Sequence, residues 1–212
     1  DTAELGWVST SQRVVRQLLG RPAPRNGSFA NAWTLDYGIR MFRELDYRPK
    51  YIMTLQMDVM FTHPETVPRL VDLIENDERC FASGVLQQRS FGHTHDILHS
   101  LGCLWSAEAA FAPDFDLFPD FPQFDVGEGA IAKLTDAGGV IRSFANSYSD
   151  PSIIETLPSH VADFNVDRAI DENGELMFLH LGRGILKSHD KYKKPNKVYF
   201  PQWEAWFKEH LL

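Results

Sequence analysis

Apolar residues fall into short runs and helical stripes rather than one continuous period. Tyr51 to Leu55 (YIMTL) reads as a buried strand of five residues, and after MDVMFTH the chain predicts a helix from about Pro64 to Asn76. Val67, Leu70, Val71 and Ile74 have the i, i+3, i+4, i+7 spacing of one buried face, and Thr62 with Glu65 has capping-box spacing around Pro64. CFASGVL (80–86) is the next strand, so strand, helix and strand follow in the order of a crossover within an α/β sheet. Upstream, Ala30 to Glu44 predicts a helix with Trp33, Ile39, Phe42 and Leu45 among its apolar positions. Downstream, a polar His-rich loop (87–101) leads to the strand GCLWS, and the Phe- and Pro-rich stretch 111–124 reads as irregular but packed. Val126 to Ala137 predicts a helix stopped by Gly138 and Gly139, then come strands VIRSF and LMFLHL. A last helix, Gln202 to Leu211, would dock through Trp203, Trp206 and Phe207.

No repeat or long linker divides this pattern, so 212 residues with 43% hydrophobic and 24% charged composition read as one domain, 1–212, with a trailing basic arm and helix at 187–212. No apolar run approaches the length of a membrane span. The opening DTAELGWVSTSQ lacks the features of a secretory signal, and the expectation is a cytoplasmic protein. Cys80 and Cys103 are too few for a disulfide framework and read as buried thiols. A net charge of −8 argues against nucleic acid as a partner. Residues 187–197 run against that balance with five lysines and one acid, which suits a small anionic ligand or peripheral contact with an anionic surface, as well as a plain solvated loop.

Three places carry chemistry. Asp58 follows the strand YIMTL, where the carboxyl ends of α/β strands open into a crevice, and a carboxylate there suits a hard divalent cation or a turn cap. Asp125 and Glu128 lie at a helix start, where the dipole favours ionised carboxylates able to accept a proton or simply to cap. His180 ends an apolar strand in FLHLGRG, with Arg183 and Lys187 following as partners for phosphate oxygens. His93, His95 and His99, with Asp96, form a separate H-x-H-x-x-x-H set that would suit zinc or iron in a metal-dependent hydrolase.

The ordered set NGSFANAWTLDYGIR, YIMTLQMDVMF, LGCLWS, FDVGEGAIAKLTDAGG and FLHLGRG resembles the GT-A fold glycosyltransferases, especially the inverting family 2, over residues 26–186. Asn26, Gly27, Phe29, Ala30 and Ala32 match its first segment, and Gln56-Met57-Asp58 stands at its D-x-D position with Gln replacing the first Asp. The resemblance implies an α/β fold of the GT-A, Rossmann-like kind with a mixed, mostly parallel central sheet. It also implies a nucleotide-diphospho-sugar donor, Mn²⁺ or Mg²⁺ as cofactor, and a carbohydrate, lipid-linked or protein acceptor. Under it, Asp58 and His180 would hold the metal, and Gln56, Asp58, Arg183 and Lys187 would contact the donor. Glu128 or Asp125 would be the base, with Glu128 favoured by its place before the helix. The family's first strand has no counterpart here, so the N-terminal nucleotide-binding part is expected to be incomplete. Loops 87–101 and 111–124 would face the acceptor, and Trp105 is either a sugar platform or a core residue. A GT-A-like module that binds nucleotide or sugar without turnover is the remaining alternative.

Overall fold

Alternation in YIMTL resolves into a strand, β1 (Tyr51–Leu55), whose Ile52 and Thr54 are buried on one face. The computed structural model describes residues 27–45, 47–55, 59–87, 96–99, 102–120, 123–147, 150, 152–156, 167–180 and 200–210. Within them the chain runs α1 (Gly27–Glu44), β1, β2 (Val59–Phe61), α2 (Thr66–Glu75), β3 (Cys80–Gln87), β4 (Ile97–Leu98), β5 (Gly102–Ser106) and α3 (Ala107–Ala110). It continues through α4 (Glu128–Asp136), β6 (Val140–Asn146), α5 (Ile153–Thr156), β7 (Asp167–Ile170), β8 (Leu176–His180) and α6 (Phe200–His210). The chain is an α/β protein with a mixed sheet, ordered β1-β5-β3-β6-β7-β8-β2, with β4 added beside β3.

The sheet is mostly antiparallel, not mostly parallel. Among the described residues, β3 with β6 is the single parallel pairing. The reason lies in how the chain returns. β5 inserts between β1 and β3, antiparallel to both, and β7 and β8 close as a hairpin that needs only a tight turn. In that turn the Asp171 carboxylate accepts from the backbone N–H groups of Asn173 and Glu175, and Gly174 supplies φ +79°. Strand direction is nonetheless shared more widely than pairing suggests: β1, β3, β6 and β8 all point the same way, so their carboxyl ends lie along one rim. The path is also nearly closed. Its two outermost strands, β1 and β2, are consecutive in the chain and separated by residues 56–58 alone, so Leu55 and Val59 lie within ~15 Å of each other.

Two apolar layers hold this sheet. On one face Ile52, Ala82, Cys103 and Trp105 pack with Ile39 of α1 and Ile131 of α4. On the other, Val85, Leu104, Phe144, Ala169 and Phe178 pack with Leu70 and Ile74 of α2. Each fully buried large side chain contributes roughly 1.5–3 kcal/mol. Buried polar side chains tie neighbouring elements together: Ser83 Oγ of β3 donates to the Leu70 carbonyl of α2 at 2.6 Å, and Thr54 Oγ1 of β1 donates to Cys103 O of β5 while accepting from Trp105 Nε1. Gly84 permits a close approach between β3 and β5, since a Cβ there would lie 2.6 Å from the Gly102 carbonyl oxygen.

Several sequence expectations need correction. α2 begins at Thr66, and no side-chain cap forms: Thr62 Oγ1 donates instead to Leu176 O, while Thr66 Oγ1 donates to Met177 O, tying the helix start to β8. Pro68, rather than Pro64, occupies the first turn of the helix. Val67 is exposed, because the buried face is completed by Thr66, Leu70 and Ile74. Just past α1, the apolar Leu45 is exposed, whereas Ile39 within the helix is buried. The loop 87–101 contains the short strand β4. Both cysteines are buried free thiols as expected, and burial holds the Cys103 thiol well above its usual range.

Candidate functional site

The rim defined by the carboxyl ends of β1, β3, β6 and β8 is where an α/β sheet places ligand groups, because side chains and connections there surround a crevice rather than continue a layer. His180 is the last residue of β8 and is 5% exposed. It stands in register with Val59 on one side and Asp167 on the other. Alternation places it on the same face as Phe178, so its imidazole sits above an apolar layer. Asn146, last in β6 and 1% exposed, is in register with Ala169 and shares that face. His99 follows β4, and its backbone N–H donates to Val85 O at 2.7 Å. The His99 and His180 rings meet with centroids 5.8 Å apart and planes tilted by 54°.

The two carboxylates of FDVGEG belong to the same end of the molecule. Helix α4 is followed at once by β6 through Gly138, with φ +93°, and Gly139, which abuts the Phe81 ring near the start of β3. The helix therefore runs back along the sheet, and its N-terminus lies toward the strand carboxyl ends. Gly127 adopts φ +76°, and its N–H donates to Leu117 O, which turns the chain sharply into the helix. Glu128 is 1% exposed, and its Oε2 accepts from the backbone N–H of Asp125 at 2.8 Å. Asp125 is only partly buried, with Oδ1 accepting from the N–H of Val126. Thus Glu128 fixes the turn, and Asp125 presents the more accessible carboxylate.

Of the other expected residues, Gln56, Asp58, Arg183, Lys187, His93 and His95, together with the lysines of 187–197, lie outside the described residues. Asp58 immediately precedes Val59, the register partner of His180. Asp96 is described and exposed. Trp105 is 2% exposed, edge-on to Phe115 at 5.1 Å, and so is a core residue with no face for a sugar. Trp206 of α6 is buried as expected. Among the described residues no three His, Cys, Asp or Glu side chains converge as a metal-binding group, and no helix is long and apolar enough to cross a membrane. The contribution of Asn146 was missed from sequence; its signal is a polar residue closing the apolar strand VIRSFAN on the inward-facing parity.

The opposite end of the sheet holds a cavity of about 920 Å³ lined by Lys50, Tyr51, Glu75, Arg79 and Gly139 among others. Several of its charges are paired. Glu75 Oε1 accepts from Lys50 Nζ and from Tyr51 Oη, and those bonds hold its carboxyl below the usual range. The Arg79 N–H and the Arg142 guanidinium do the same for Asp77. These pairs staple β1 and β6 to the end of α2, and Lys50 and Glu75 are solvent-exposed. Compared with known proteins, the chain matches no family model, no curated protein and no solved structure.

Proposed function

We propose that this chain is a GT-A-like glycosyltransferase domain that moves a sugar from a nucleotide-diphospho-sugar to an acceptor hydroxyl with inversion. One observation carries the reading: the shared direction of β1, β3, β6 and β8 puts His180, Asn146, His99 and the Asp125–Glu128 turn at the same end of the sheet, with His180 in register with Val59, the residue that follows Asp58 in the chain. The order of these motifs along the chain supports the same family. In the direct displacement, the acceptor oxygen forms a bond to the anomeric carbon as the bond to the diphosphate breaks, and a carboxylate takes the acceptor's proton. Greater exposure favours Asp125 as the proton acceptor, with Glu128 holding its backbone in place. Asp58 and His180 would hold Mn²⁺ or Mg²⁺, while Gln56, Arg183 and Lys187 would contact the donor. A bound cation would supply neutralisation of the charge that builds on the leaving diphosphate.

Imidazole and carboxylate are ligand types that such a cation accepts. The reading is tested by assaying nucleoside diphosphate release from a panel of nucleotide sugars, with and without Mn²⁺, for the intact chain and for Asp125→Asn. Release that depends on Asp125 is expected. Nucleotide binding with no turnover across the panel would replace the enzyme by a binding module.

A further inference from the structure

The cavity at the end of the sheet away from the rim, about 920 Å³ in volume, divides into a buried floor and a charged mouth. The floor is apolar. Ile74 of α2, Cys80 and Phe81 of β3 and Ala109 of α3 line it, each less than a tenth exposed. Around them stand Lys50, Glu75, Asp77, Glu78, Arg79 and Glu108, four carboxylates against two cations. We propose that this cavity is a binding site for a small organic cation, an aliphatic amine whose hydrocarbon stem lies on the floor while its ammonium group meets Glu78 and Glu108 at the mouth.

The volume suits such an occupant, since small-molecule sites span roughly 300–1,000 Å³. Small residues make the room: Ala107, Ala112, Ala137 and Gly139 stand in the wall. Gly139 also fixes the floor, because a Cβ there would lie 2.6 Å from the Phe81 ring and 2.9 Å from the Leu134 carbonyl oxygen. Backbone and ring are therefore already in tight contact. Charge then selects the ligand. Lys50 is held by Glu75, and Arg79 by Asp77, which also takes the Arg142 guanidinium. The cavity's two cations are thus occupied and offer little to an anion. Glu78 and Glu108, by contrast, have no hydrogen-bond or ion-pair partner among the described residues. Glu78 stands two residues before Cys80, the first residue of β3, and Glu108 two residues after Ser106, the last of β5. Those strands are antiparallel neighbours, so the two open carboxylates approach one opening from adjacent strands. Unpaired charge beside a low-dielectric wall raises the local concentration of ions of the opposite sign. An amine on a hydrocarbon stem matches both parts of the site: the stem gains from burial against Ile74 and Phe81, and the ammonium group stays near water. The inference is independent of the reaction at the rim, which lies at the other end of the sheet.

The test uses the full chain, isotope-labelled at alanine and isoleucine methyl groups, and three probes of one shape: pentylamine, neutral pentanol and anionic pentanoate. Titrations run in about 0.15 M salt, which screens loose association with surface charges. Saturable shifts of the Ile74, Ala109 and Ala112 methyl signals are expected with pentylamine, with pentanol about tenfold weaker and pentanoate without effect. Replacing both acids, Glu78→Gln with Glu108→Gln, should weaken the amine about tenfold and leave pentanol unchanged. Both acids are exposed, so the variant should keep its fold. Ala137→Trp, also at an exposed position, should fill the opening and exclude amine and alcohol alike. Equal affinity for pentylamine and pentanol, or undiminished amine binding in the double variant, would overturn the proposal. So would the absence of saturable shifts in the wild-type protein, or amine-induced shifts of equal size at a distant exposed acid such as Glu172.

Discussion

The two ends of the sheet treat polar side chains differently. At the end where β1 and β6 begin, most charges are at the surface and paired: Lys50 and Tyr51 with Glu75, Arg142 with Asp77, and nearby Arg69 with exposed Glu175 and with Asp171, which is itself buried. At the rim where β3, β6 and β8 end, His180, Asn146 and Glu128 are buried directly on the apolar layers. Placing polar groups there costs desolvation unless they are hydrogen-bonded, as Glu128 is to the backbone N–H of Asp125.

Substitutions can break or sharpen this contrast. The largest effect belongs to the rim: Asp125→Asn should lower sugar transfer by about 10²–10⁴-fold while leaving donor binding unchanged, as read by steady-state turnover beside calorimetry. Equal activity in the variant would move the proton acceptor elsewhere. Next come changes to the layer beneath. Phe178→Ala removes a ring that is 2% exposed and should cost about 3–5 kcal/mol in urea unfolding, with loss at the rim following only from loss of fold. Gly84→Ala sets a methyl group against the backbone oxygen of Gly102, which has no side-chain freedom with which to yield, and should cost about 1–3 kcal/mol.

At the far end the effects are smaller. Glu75→Gln should leave transfer untouched and shift the melting temperature slightly, since its partners are solvent-exposed. The sign with pH follows from the depressed carboxyls of Glu75 and Asp77. Their stabilisation is present above the ordinary carboxylate range and fades as pH falls through their lowered values, so melting temperature should drop below about pH 4. The Glu75→Gln, Asp77→Asn double variant should show a shallower acid limb. An unchanged acid limb would remove these pairs from the account of stability.

Local patterning made most elements readable. YIMTL, CFASGVL, GCLWS, VIRSF and LMFLH all form strands, and the helices at 30–44, 64–76, 126–137 and 202–211 are present with shifted ends. Pairing was not readable, because alternation reports which faces are buried and says nothing of the neighbour. Nothing in GCLWS announces that it will slide between β1 and β3. The cap at Thr62 failed for a similar reason, since a distant carbonyl of β8 competes for its hydroxyl. Of the expected site residues, Asp125, Glu128 and His180 converge on one end of the sheet, each flagged by a strand end or helix start. The meeting of His99 with His180 had no local signal at all, because it depends on β4 pairing with β3 and on β8 closing the far side of the sheet.

That near-closure also has a history written into it. β2 leaves the ribosome immediately after β1, yet its partner β8 is made about 120 residues later, with Val59 waiting for His180. A nascent chain that ends before β8 thus carries an orphan strand edge, along with the unmet hydroxyls of Thr62 and Thr66. The rim is consequently complete only once β8, the last of the described strands, has been made.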